Sequence, residues 1–192
     1  YGVEALDQAR SAQIAVDEFN ESGGLDGRMA ELLIRDTKHS PDLARDATIE
    51  LIEKDKVDFV AGALSALDMV LIGKTCSERK IVYNGLSVGD GVVSKETRTP
   101  YIFHEGPTAF GIADIIGRYA FSHFGFRVAT LSADHPFGRD SVRGLHNVGY
   151  AIGVDFVTDE YHAMGEKDWG PYLERIAALK PEVLVSTNFG SD

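Results

Sequence analysis

The chain has 192 residues, 44% hydrophobic and 26% charged, which is enough to fill one sizeable core or two small ones. Thirty acidic residues against 19 basic ones give a net charge of −11, a sign that repels phosphate backbones and argues against nucleic acid as a partner. Its single cysteine, Cys76, allows no intrachain disulfide and no zinc cluster built on several thiolates. No apolar run approaches the length of a membrane span.

In chain order, Leu6–Asn20 carries Leu6, Ala9, Ala12, Val16 and Phe19 at helical spacing, stopped by Gly23-Gly24. Met29–Asp36 then reads as a strand. Ser40-Pro41-Asp42 opens a helix, with serine as cap and proline at the first position. That helix runs to about Lys54, with Leu43, Ala47, Ile49, Leu51 and Ile52 expected inward. Val57–Ala61 is a buried strand, followed by a helix from about Ser65 to Arg79 and the strand Ile81–Tyr83.

A long irregular segment, Gly85–Pro100, precedes the strand Tyr101–Phe103. A helix over Ala109–Phe124 and the strand Arg127–Leu131 come next. A helix over Gly138–Ile152 and the strand Val154–Val157 follow. A helix over Trp169–Leu179 and the strand Val183–Ser186 complete the series. Alternating strands and helices imply parallel sheets covered by helices on both faces. The length of the 85–100 segment, with a strand–helix series restarting after it, favours two lobes: residues 1–104 and 105–192. The chain opens in a helix and stops just past a strand, so it reads as truncated at both ends. No signal peptide is visible, so either the protein is cytosolic or its export signal lies upstream.

Ligands of open α/β sheets bind beyond the carboxyl ends of the strands. Three such exits stand out. In Gly62-Ala63-Leu64-Ser65-Ala66 the glycine permits a tight turn and Ser65 can cap a helix whose free N–H groups would attract an anion. Tyr83-Asn84-Gly85-Leu86-Ser87 leaves backbone groups accessible, and Ala133-Asp134-His135-Pro136-Phe137-Gly138 sets an aromatic on a loop. His104-Glu105 falls where the chain changes lobes, as a hinge or cleft-edge pair. Each has a plain structural alternative: an N-cap, an ordinary loop, a cover for the sheet end, a solvated strand end. His123 and His146 sit within helices as surface or packing residues, and Glu166-Lys167-Asp168-Trp169 reads as a capped helix start. No phosphate-loop, dinucleotide-binding or Gly-x-Ser-x-Gly pattern occurs, and no histidine pair has metal-ligand spacing. Neither an enzyme, a cofactor nor a metal site is therefore expected.

Ala15–Gly27 resembles the first helix and turn of the branched-chain amino acid binding proteins, with the type I periplasmic binding fold. Asp36-Thr37, Asp42-Leu43-Ala44, Val57–Gly62, Arg127-Val128-Ala129, Phe137-Gly138, Glu166–Trp169 and Leu179–Val185 continue the match in family order. The resemblance implies two Rossmann-like lobes clamping a solute between them, in an extracytoplasmic receptor that serves the membrane subunits of an ABC importer. It places Leu64, Ser65 and Ala66 at the first carboxylate contact, and Gly85, Leu86 and Ser87 at the second. Tyr1 falls at the cleft rim, and Phe137 and Phe189 on the second lobe. Ala66 departs from the family's hydroxyl residue, Phe137 and Phe189 lack a phenol hydroxyl, and Glu105 is the acid nearest the family's ammonium partner. The ligand classes left open are an amino acid, an aliphatic or aromatic carboxylate, and an amide. A cytosolic ligand-sensing regulator on the same fold is the alternative.

Overall fold

Helix starts fall where cap chemistry dictates. In the computed structural model, which describes residues 2–86, 88, 90–92 and 94–188, Ser40, Ser65 and Thr108 each accept a backbone N–H three residues on. The helices are α1 (Gly2–Glu21), α2 (Pro41–Glu53), α3 (Ala66–Arg79), α4 (Ala109–Phe124), α5 (Pro136–Ile152) and α6 (Gly170–Ala178). The strands are β1 (Phe59–Gly62), β2 (Val82–Gly85), β3 (Ile102–His104), β4 (Arg127–Ala133), β5 (Asp155–His162) and β6 (Val183–Thr187). Every ladder is parallel. The chain divides into two units: Tyr1–Ser87 with Gly91–Glu105, and Val88–Asp90 with Gly106–Asp192.

The first unit holds a sheet of order β1-β2-β3. Val60 and Tyr83 point to one face, where Ala44 of α2 and Met69, Ile72 and Cys76 of α3 pack on them. Phe59, Val82 and Phe103 are exposed on the sheet, and α1 buries no described residue. Along α2 the buried positions are Ala44 and Thr48, one helical turn apart; the Thr48 hydroxyl donates to the Ala44 carbonyl at 2.7 Å. Leu43, expected inward, is exposed because it sits one residue off that stripe.

The expected strand over Met29–Asp36 does not form among the described residues. A strand exists only through ladder bonds to a neighbour, and here Asn20 of α1 takes both backbone groups of Ala30 instead, at 2.7 and 2.9 Å. An apolar run of strand length does not by itself supply a partner.

The second unit holds a sheet of order β5-β4-β6. Its central strand β4 is buried from Val128 to Ala133. Val128 packs with Phe121 of α4 and Leu145 and Val148 of α5. Ala129 and Leu131 pack in a second cluster with Ile176 of α6, beside Trp169 and Tyr172. Helices thus cover both faces, as strand–helix alternation requires.

Several boundaries moved. β5 continues five residues past Val157, because its polar residues find partners across the fold: Asp159 accepts from the Thr130 hydroxyl and from His146, and Glu160 pairs with Arg175. α5 begins at Pro136 instead of Gly138. His135 is its N-cap, with Nδ1 accepting the Phe137 N–H at 3.4 Å, and proline follows at the first position. Phe137 therefore lies in a helical turn, not on a loop.

Candidate functional site

Parallel strands put all their carboxyl ends on one edge. In the first unit Gly62 is the register partner of Gly85, and Gly85 of His104. The exits after β1, β2 and β3 consequently start side by side, which brings together the Gly62–Ala66 turn, Gly85-Leu86 and His104-Glu105. Glu105 extends the alignment by donating its N–H to the Gly85 carbonyl at 3.0 Å. Tyr83 fastens the β1 end from beneath, its hydroxyl donating to the Gly62 carbonyl at 2.9 Å. Burial holds that phenol far above its ordinary pKa, so it stays a neutral donor.

The β1 exit is strained. Gly62 has φ of 111°, which glycine alone adopts readily, and Ala63 follows at 70°. This paired turn redirects the chain so that Ser65 becomes the N-cap of α3, its Oγ accepting the Asp68 N–H at 3.4 Å. Ser65 and Ala66 are buried; Leu64 and Leu86 are half-buried. Gly85 is buried as well, and a β-carbon there would stand 2.6 Å from the Met69 methyl. His104 is half-buried and Glu105 exposed.

The second unit repeats the arrangement. Ala133 pairs with His162, and Ser132 with Thr187, so the turns leaving β4, β5 and β6 share one edge. Asp134 donates its N–H to the His162 carbonyl at 2.8 Å. Gly138 lets α5 start against the strand end: a β-carbon would lie 2.2 Å from the Ala133 carbonyl oxygen. Phe137, half-buried, is held in this first turn, and its carbonyl accepts the Ser141 hydroxyl at 2.8 Å.

Sequence reasoning passed over one residue at this edge. His162 is buried, its Nδ1 at 2.8 Å from the Ala163 carbonyl and its Nε2 at 2.8 Å from Asn188 Oδ1, with Trp169 packed edge-on. The signal was hidden because β5 was expected to stop before it. Tyr1, Ser87 and Phe189 lie outside the described residues.

Among the described residues no group of three His, Cys, Asp or Glu can hold a metal, and no helix is long and apolar enough to cross a membrane. A cavity of about 270 Å³ lies between α3 and the 96–99 segment, with Met69, Val70 and Ile102 in its walls. None of the described candidate residues lines it.

The fold is shared with solute receptors. A periplasmic binding protein from Burkholderia mallei is 22% identical with a TM-score of 0.82, covering 96% of this chain and 47% of its own. A solute binding protein of an ABC transporter from R. palustris, in complex with benzoate, is 21% identical with a TM-score of 0.80, covering 90% and 48%. The branched-chain amino acid transporter substrate binding protein LivJ from Streptococcus pneumoniae, in complex with isoleucine, is 21% identical with a TM-score of 0.78, covering 91% and 49%. This chain thus spans about half the length of the proteins it resembles. The family model described as periplasmic binding protein matches residues 2–192, and the chain belongs to that family.

Proposed function

We propose that this chain supplies ligand-holding parts of an extracytoplasmic solute receptor, which delivers a small carboxylate, amino acid or amide to the membrane subunits of an ABC importer. The observation that carries this reading is the strained, capped turn at Gly62–Ala66, aligned in register with the exits after Gly85 and His104. Backbone N–H groups at the start of α3, with its dipole, suit a carboxylate. Leu64, Ser65 and Ala66 form the first carboxylate contact and Gly85, Leu86 and Ser87 the second; Tyr1 stands at the cleft rim, Phe137 and Phe189 on the second lobe, and His104 and Glu105 at the cleft edge.

Binding in this mode is a clamp. A solute that touches both lobes favours the closed arrangement by its differential affinity. Neighbours in complex with benzoate and with isoleucine support an apolar side group on a carboxylate, and Phe137 and Phe189, lacking hydroxyls, suit such a group.

Titration calorimetry of the full-length protein against isoleucine, benzoate, 4-hydroxybenzoate and acetamide tests the reading. Micromolar or tighter binding of one of them, with a smaller scattering radius at saturation, is expected. Saturable binding without any change of radius would overturn the clamp.

A further inference from the structure

Asp68 stands at the third position of α3, directly behind the Ser65 turn, and is 2% exposed. Three polar atoms of this residue differ in state. Its backbone N–H donates to Ser65 Oγ at 3.4 Å, and its Oδ2 accepts the Thr37 hydroxyl at 3.0 Å. Its Oδ1 is buried with no hydrogen-bond partner among the described residues. Thr37 belongs to the short loop before α2, whose shape is fixed in turn. Asp36 Oδ1 accepts the Lys38 N–H at 2.8 Å, and Lys38 and His39 both adopt left-handed backbone, at φ 51° and 55°.

A buried, half-satisfied carboxylate lowers stability compared with an apolar residue of similar size. Serving the fold alone, the position would favour such a replacement. Among the described residues the carboxylate bonds only Thr37, while the backbone N–H of the same residue bonds Ser65, so Asp68 joins the loop before α2 to the strained Gly62–Ala66 turn.

We propose that Asp68 is a positioning residue for the ligand turn, holding the Ser65 cap and the N–H groups of Ala63–Ala66 in register through its bond to Thr37. This rests on the reading of that turn as the carboxylate contact. The bond orders the turn before ligand arrives, so its loss appears as weaker binding without loss of global stability.

The test has a ligand-free and a ligand-bound arm, both on the full-length protein. In amide hydrogen exchange, Asp68→Ala is expected to speed exchange of residues 63–66 about tenfold while the melting temperature holds or rises. Thr37→Val should do the same to exchange. Asp68→Asn, which keeps an oxygen for the Thr37 hydroxyl, should restore the parental rate. With benzoate or isoleucine as probe, Asp68→Ala should weaken binding five- to tenfold. Unchanged exchange at 63–66, or exchange that rises across the whole first unit together with a fall in melting temperature, would overturn the proposal. If Ser87→Ala weakens the probe while Asp68→Ala does not, the carboxylate pocket of the proposed function stands and Asp68 is not a positioning residue for it. If neither variant changes affinity, the ligand turn itself is misplaced and the proposal falls with it.

Discussion

The α-carbon of Gly138 rests against the carbonyl of Ala133, so close that a β-carbon would stand 2.2 Å from the oxygen and 3.2 Å from the carbonyl carbon. The contacted atoms are backbone of a central strand that is buried from Val128 to Ala133, and they cannot step aside. Gly138→Ala should therefore push α5 off the end of β4, at a cost of about 1–3 kcal/mol. Denaturant unfolding would show a lower midpoint at unchanged slope. An alanine variant as stable as the parent would mean that α5 can start elsewhere.

Ser65 and Ser87 are expected to separate stability from binding. Ser65 Oγ is the N-cap acceptor of α3, so Ser65→Ala should cost roughly 0.5–2 kcal/mol of stability. For Ser87 the proposed role is a charge-assisted hydrogen bond to the ligand carboxylate, worth roughly 1.5–3 kcal/mol. Ser87→Ala should then weaken binding by on the order of ten- to a hundredfold with an unaltered apo melting temperature. Calorimetric titration and thermal melts of both variants check this. An unchanged affinity with a destabilised apo protein would make Ser87 structural.

Glu182 links the turn before β6 to the start of β4, its Oε2 accepting the Arg127 N–H at 3.0 Å and the Phe126 N–H at 2.8 Å. Those two backbone donors hold its carboxyl below the usual 4.5. A carboxyl depressed on folding contributes stability that is fully present above the unfolded value and lost as pH falls through the folded one. Glu182→Gln should thus melt slightly below the parent at pH 7, and the gap should close as pH drops below about 4.5. Melts of both proteins between pH 3 and pH 7 measure it; a gap independent of pH would assign the effect to shape and not charge.

Cys76 is fully buried on α3, and burial pushes its thiol up to about 12. The thiolate is the reactive form, so the native protein should resist a chromogenic disulfide reagent at pH 8 and react only as it opens. Adding denaturant should raise the rate by at least about a hundredfold, in step with unfolding. Prompt reaction of the native protein would mean that α3 opens locally.

Sequence patterns alone determined what local chemistry controls. Ser40-Pro41, Ser65 and the Ala109–Phe124 stretch mark helices by caps and periodicity, and these formed where expected. The alternation of elements implied parallel sheets, and the ordered family motifs pointed to the fold now shown by its relatives. Three things were decided only in three dimensions. Met29–Asp36 reads as a strand, yet it gained no ladder partner and Asn20 holds the backbone of Ala30. β5 ran on to His162 because Thr130, His146 and Arg175 meet its polar residues from other elements, and no window of sequence contains those partners. The tie between Thr37 and Asp68 spans 31 positions; it exists because packing α2 against α3 brings the loop before α2 to the first turn of α3, a consequence of burial that neither segment encodes by itself.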